Sequence, residues 1–169
     1  MYEYNCKLVK VIDGDTVDVD IDLGFDVILK KQRVRMAGID TPESRTSDLD
    51  EKKYGLKAKN FLIKHLTLNN PNNDVVLKTT SYDAKGKFGR ILGEIYNLFG
   101  VPPNVPDHLT EGNPGSAISA NDELIRNHHA VRYHGQSKDL VAQEHLTNRR
   151  LVDIDEDDQV YNGKKGNRR

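Results

Sequence analysis

Residues 16–23 read TVDVDIDL, and this stretch restricts the fold more tightly than any other. Val17, Val19, Ile21 and Leu23 take one face, and Asp18, Asp20 and Asp22 take the other. Period two with β-branched residues on one side specifies a half-buried strand. Asp15 shares the parity of the valines, so a strand that already runs through it points Asp15 inward. An inward carboxylate is costly unless it meets a cation, a metal or hydrogen-bond donors. The alternation therefore raises both a fold and a question about Asp15.

The flanking residues extend the pattern. Residues 7–15 lead into this strand, Gly24 marks a turn, and residues 25–39 supply a second strand or pair of strands. Ser44 to Lys53 is polar and charged and reads as a loop. From Lys53, Tyr54, Ala58, Phe61, Leu62 and Leu66 recur at three- and four-residue steps. That spacing predicts an amphipathic helix of roughly four turns. Residues 68–73 end it, 74–83 form a strand, and the glycine-rich turn 84–90 leads into another strand, ILGEIYNLF. Residues 97–117 form an irregular insertion, with four of the six prolines in its 100–117 segment. A Ser/Asn/Asp cap signal then opens a second helix. Residues 138–151 predict a third helix, with Leu140, Val141, Ala142, His145 and Leu146 as apolar-face candidates. Strands first, a helix, two more strands and two helices suit a small OB-type barrel with helices packed beside it. The expected organisation is one domain over 1–152 and a charged, flexible tail over 153–169.

Composition narrows the function class. A chain of 169 residues can bury a real core in one domain. No apolar run approaches the roughly 20 residues of a membrane span, and the N-terminus has no apolar leader segment. Cys6 is the only cysteine, which excludes an internal disulfide framework and a cysteine-based zinc cluster. These features lead us to expect an intracellular, cytoplasmic protein without a membrane partner. A net charge of −1 is not that of a protein that coats nucleic acid, so any nucleic-acid handling needs a local basic site.

Chemistry gathers in RVRMAGIDTPES, residues 33–44. Asp40 and Glu43 flank a Thr-Pro turn, and Pro42 pushes Thr41 away from helix, holding its carbonyl in one direction. With Asp13 and Asp15, these oxygens suit a hard cation, Ca²⁺ or Mg²⁺. Arg35 and Arg90 are the residue type for bidentate phosphate recognition, and two of them can clamp one phosphodiester. His128, His129, His134 and His145 lack acids or cysteines at ligand spacing and read as ordinary helix and loop residues.

Four blocks in order, VIDGDTV, RVRMAGIDTPE, KKYGLKAKNF and KGKFGRILGEIY, resemble the staphylococcal nuclease (thermonuclease-like) domain over roughly residues 5–152. The resemblance implies an α+β fold, a five-stranded OB-type barrel with three helices, and a Ca²⁺-dependent phosphodiesterase acting on DNA or RNA, with Mg²⁺ or Mn²⁺ as substitutes. By that resemblance Asp15, Asp40 and the Thr41 carbonyl bind the metal, and Asp13 supports metal and water. Glu43 holds and deprotonates the attacking water. Arg35 and Arg90 bind the phosphate and stabilise transition-state charge. Water attacks in line, the 5′-oxygen leaves, and 3′-phosphate products result. Lys87 and Tyr133 are the candidate substrate contacts. Two departures stand out: Lys87-Phe88 where the family often has Lys-Tyr, and Tyr133-His134 in place of its aromatic pair. The expected state is a monomer. The competing reading is a non-catalytic nuclease-like module that binds nucleic acid or protein. Such a module would have lost one or more of Asp15, Arg35, Asp40, Glu43 and Arg90, and all five are present.

Overall fold

The computed structural model describes residues 2–79, 89–99 and 118–154. Ten elements follow in chain order: β1 Glu3–Asp13, β2 Thr16–Asp22, β3 Ile28–Met36, β4 Ile39–Asp40, α1 Leu49–Thr67, β5 Asp74–Thr79, β6 Ile91–Tyr96, α2 Ala120–Arg126, β7 Val131–Arg132 and α3 Lys138–Arg149. Five strands close a barrel in the order β1-β2-β3-β6-β5, and β4 pairs with β7 as a separate two-stranded ribbon. With three helices beside it, this is the OB-type α+β architecture that the element order implied. Among the described residues no helix is long and apolar enough to cross a membrane.

The apolar face of β2 is buried as expected, while Asp18 on the opposite face is buried as well, at 6% exposure. Val17, Val19 and Ile21 are buried in the core with Val34, Met36, Leu62, Leu77 and Ile95. Leu23 breaks the expectation: it is 42% exposed, because β2 ends at Asp22 and the chain turns. That turn runs through Gly24, Phe25 and Asp26, all at positive φ, before β3 starts.

Helix α1 starts earlier than its apolar stripe suggested. Asp48 caps it by accepting from the Asp50 and Glu51 amides, so Leu49 to Lys53 belongs to the helix and not to a loop. It packs against the site through small residues. A Cβ on Gly55 would lie 2.4 Å from the Glu43 carbonyl, and one on Gly14 would lie 2.8 Å from Thr41 Oγ1 and 2.9 Å from Ala58 Cβ. These glycines let the helix, the β1–β2 turn and the Thr41–Glu43 turn come into contact.

Helix α3 is a second correction. Val141 and His145 are buried, whereas Leu140 and Leu146 are more than half exposed. The buried stripe of this short helix is narrow, one side chain per turn, and a polar histidine occupies half of it. Strand β5 is described over Asp74–Thr79, and the rest of the expected strand, 80–83, lies outside the described residues. Residues 80–88, most of the 97–117 insertion and the tail from 155 lie outside the described residues, and with them Lys87, Phe88 and the glycine-rich turn up to Phe88.

Candidate active site

Strand β3 carries Arg35 opposite Thr16 of β2, and Asp15 sits in the tight turn between β1 and β2. The turn is pinned to β3 by the Met36 amide donating to the Asp15 carbonyl at 2.8 Å. Arg35 Nη1 then lies 2.8 Å from Asp15 Oδ2, and Nη2 lies 3.2 Å from Asp40 Oδ1. One guanidinium thus bridges two carboxylates that are 25 positions apart in sequence. Thr16 Oγ1 donates to Asp15 Oδ1 at 3.0 Å, and the Thr41 amide donates to Asp15 Oδ2 at 3.2 Å. Asp15 therefore finds a cation and two donors, which is how the fold tolerates an inward carboxylate.

Those partners do not fully offset burial. Burial pushes the Asp15 carboxyl above the usual range, against the pull of Arg35 and Thr16, and Asp13 and Asp40 add like-charge repulsion. Glu43 is raised as well, first by burial, then by Asp13, Asp15, Glu51 and Asp40. Its amide donates to Glu51 Oε1 at 3.3 Å, which anchors the acid turn to the first turn of α1. Asp13 accepts from the Gly14 amide at 2.9 Å, within the same electrostatic neighbourhood.

Asp40 has a partner that sequence reasoning missed. His145 Nε2 of α3 is 2.8 Å from Asp40 Oδ2, while its buried Nδ1 has no hydrogen-bond partner among the described residues. The β4–β7 pairing, Asp40 opposite Val131, brings the C-terminal region to the acid turn. The signal was available in the spacing of Val141 and His145, four apart on α3. The partner was not, because nothing local relates residue 145 to residue 40.

The remaining candidates sit around this centre. Arg90 immediately precedes β6, whose Ile91 and Leu92 pair with Val34 and Arg35, and it lines a groove with Lys10, Lys31, Arg33 and Asp18. Tyr133 follows β7, is 44% exposed, and donates its amide to the Gly38 carbonyl at 2.8 Å. It lies at the edge of the ribbon that carries Asp40.

A hard cation fits this donor set. Asp15 and Asp40 already converge on one positive group, and the nearby Thr41 Oγ1 is buried without a hydrogen-bond partner. Among the described residues no three His, Cys, Asp or Glu side chains converge as a ready-made metal cluster. Two carboxylates and a threonine oxygen leave most of a Ca²⁺ or Mg²⁺ coordination shell to water and substrate, the arrangement of an open site.

Comparison with known proteins bears on the same residues. The family described as staphylococcal nuclease homologue matches residues 33–151, which includes Arg35, Asp40, Glu43, Arg90 and His145. The match starts after Asp13 and Asp15, which the fold returns to Arg35. The chain is similar to a thermonuclease of Staphylococcus hyicus, 36% identical over 94 residues, covering 56% of this chain and 49% of that one. It is similar to a thermonuclease of Staphylococcus intermedius, 39% identical over 87 residues, covering 52% and 45%. An uncharacterized protein of Methanocaldococcus jannaschii is 28% identical over 148 residues, covering 77% and 59%. The chain spans about half the length of the two thermonucleases. With the barrel, the acid turn and the bridging arginine in place, the chain belongs to the staphylococcal nuclease homologue family.

Proposed function

We propose that this chain is a Ca²⁺-dependent phosphodiesterase that hydrolyses DNA or RNA. The observation that carries the reading is Arg35 bridging Asp15 and Asp40 beside a Glu43 whose carboxyl is raised. A phosphodiester repels nucleophiles, so its charge must be offset where the reaction occurs. Asp15, Asp40 and Thr41 would hold the cation, with Asp13 behind them. When bound, the cation supplies Lewis-acid polarisation of the phosphoryl group and charge neutralisation.

The chain's own groups do the rest. Arg35, held at 17% side-chain exposure, presents a guanidinium to phosphate oxygens while it fixes the two aspartates. Arg90 adds a second guanidinium from the adjoining groove. Glu43 accepts a proton from the attacking water as its oxygen bonds to phosphorus. A base raised toward neutral pH by burial and like charges serves this step better than a fully exposed glutamate. The bond to the 5′-oxygen breaks in line, that oxygen takes a proton from solvent, and a 3′-phosphate remains. Tyr133, beside the ribbon that carries Asp40, is the proposed contact for a nucleotide at the acid turn, and Lys87 is the proposed contact from the glycine-rich turn.

The test is purified full-length protein with single-stranded DNA and RNA in Ca²⁺, Mg²⁺ or Mn²⁺, with EDTA and Glu43→Gln as controls. Metal-dependent cleavage that EDTA and Glu43→Gln both stop is the expected result. Inertness in all three metals would overturn the enzyme reading and leave a nuclease-like binding module in its place.

A further inference from the structure

The surface of β1, β2 and β3 carries a charge arrangement that the proposed hydrolysis does not require. Across the sheet, Lys10 of β1 is opposite Asp18 of β2, and Asp18 is opposite Arg33 of β3. One carboxylate is thus flanked by two cations on a single rung. Asp18 is engaged through both oxygens, by Arg33 Nε at 2.8 Å and Nη2 at 2.9 Å. Lys10, Lys31, Arg33 and Arg90 line the same open groove, of about 880 Å³, with Asp18 as its acid.

The pairing of the barrel lysines separates this groove from an ordinary solvated face. Five lysines lie on the described barrel strands: Lys7, Lys10, Lys30, Lys31 and Lys78. Lys7 pairs with Asp74, Lys30 with Asp20, and Lys78 with Glu3. Lys10 and Lys31 have no carboxylate within ion-pair distance among the described residues, and both line the groove. In a chain of net charge −1, the two barrel-strand lysines without an ion pair among the described residues lie at one place. Lys31 is held at positive φ, with its amide donating to Asp20 Oδ1 at 2.8 Å, so its backbone is fixed by a strand irregularity. Arg33 and Arg35 are two residues apart on β3, so the groove's Arg33 is one same-face step of about 6–7 Å from the bridging arginine.

We propose that this groove binds the phosphodiester backbone of a single-stranded nucleic acid, with Lys10 and Lys31 as phosphate contacts that lead the strand to Arg35. This rests on the hydrolytic reading for direction, but the binding itself needs no metal. A positive track on a barrel face is how OB-type domains follow a strand without reading its sequence. A recessed Arg35 favours a flexible single strand over a rigid duplex, because the phosphate must enter a site where the guanidinium is mostly covered.

The experiment measures binding of the full chain in EDTA, by anisotropy of labelled oligothymidylate, oligouridylate and duplex DNA over about 50–300 mM salt. Lys10→Gln with Lys31→Gln is the test variant, and Lys30→Gln, outside the groove, is the single-charge control. Removing two phosphate-binding charges should lower the slope of log affinity against log salt by about 1.4 on single strands. The expected weakening at the lowest salt is about tenfold, against less than twofold for Lys30→Gln per single surface charge. Unchanged circular dichroism and melting temperature establish that the exposed substitutions leave the fold intact. The proposal is overturned by an unchanged slope in the double variant, by equal weakening in Lys30→Gln, or by duplex DNA binding as tightly as the single strands. DNA and RNA arms that respond alike support a backbone contact. A loss confined to one of them overturns it in favour of a sugar or base contact. Wild-type protein that binds through the groove but never cleaves would refute the hydrolytic reading alone, and cleavage with an unaltered slope would refute the groove alone.

Discussion

Two acid–arginine pairs meet on β3, whose Arg33 and Arg35 are a single same-face step apart, and the two behave oppositely. Asp18 faces Arg33, and Asp15 sits in the turn just before Thr16, which faces Arg35. Arg33 gives Asp18 a full two-oxygen fork, and that hydrogen-bonded pair holds the Asp18 carboxyl below its usual range. Arg35 divides itself between Asp15 and Asp40, and the Asp15 carboxyl is raised. The chemistry of the partners is the same. The two carboxylates are covered alike, at 8% and 12% side-chain exposure, so what differs is the arginine, 50% exposed for Arg33 and 17% for Arg35, and the company of other acids. A carboxylate with a fork to itself is a settled structural pair. One that shares its arginine and faces Asp13 and Asp40 keeps an unmet demand for positive charge, which suits a site that takes up a cation and a phosphate.

The largest contrast should come from removing each arginine. Arg35→Ala leaves two carboxylates uncompensated and should cost about 3–5 kcal/mol in urea unfolding. Arg33→Ala should cost less, because the Arg33 side chain is half exposed and Asp18 keeps Lys10 and Lys31 as nearby cations. Equal losses would show that the two pairs do not differ as their surroundings suggest. In turnover, Arg35→Gln should lower kcat by about 10²–10³, whereas Arg33→Gln should act chiefly on KM for long substrates.

Calcium offers the next sharpest probe. At about 100 times its Kd, a cation bound only by the folded protein should add about 2.7 kcal/mol to unfolding stability. Asp40→Asn should abolish that increment, and Asp18→Asn should leave it intact. A Ca²⁺ effect on melting that survives Asp40→Asn would place the ion elsewhere.

His145→Gln should have a smaller effect. It removes a hydrogen bond to a charged acid, worth about 1.5–3 kcal/mol at the upper end of single-bond effects. The readout that separates positioning from mere packing is a weakened Ca²⁺ midpoint in the melting assay, which His145→Gln should produce and Val141→Ala should not.

The smallest effect, and the most diagnostic in sign, is on pH. Asp15 is raised in the fold, so its favourable contribution is present below the ordinary carboxylate value and is lost as pH rises through its folded value. Asp18 is lowered, so its contribution is present above the ordinary value and is lost as pH falls through its folded value. In EDTA at neutral pH, Asp15→Asn should therefore raise the melting temperature and Asp18→Asn should lower it. Both differences should shrink in acid. Matching signs across a melting-temperature series from acid to neutral would refute the comparison.

Much of the fold could be read locally. Period two over Thr16–Asp22 specified β2, the stripe from Tyr54 to Leu66 specified most of α1, and Ser119 marked the start of α2. Other features could not. The start of α1 was hidden because Leu49–Lys53 is polar, and only the Asp48 cap reveals it. The two-residue strands β4 and β7 are too short to show a period, yet their pairing puts Asp40 beside α3. On α3 the expected apolar face was too wide: of its five candidates Val141 and His145 are buried, and Leu140, Ala142 and Leu146 are exposed.

The amino-acid sequence by itself determined which groups are available: four acids, two arginines and a proline that stiffens the turn between Asp40 and Glu43. It also posed the question of Asp15, whose parity points inward. Only the tertiary structure decided the answer. The β1–β2 turn is pinned to β3, so Asp15 meets Arg35, and Gly14 and Gly55 let α1 close on the acid turn. Tertiary packing likewise joined His145 to Asp40 and gathered Lys10 and Lys31, neither ion-paired among the described residues, in one groove. The physical reason is that periodicity and capping are local, set by backbone geometry within a few residues. Charge pairing and desolvation depend on which distant segments the closed barrel brings to the same place.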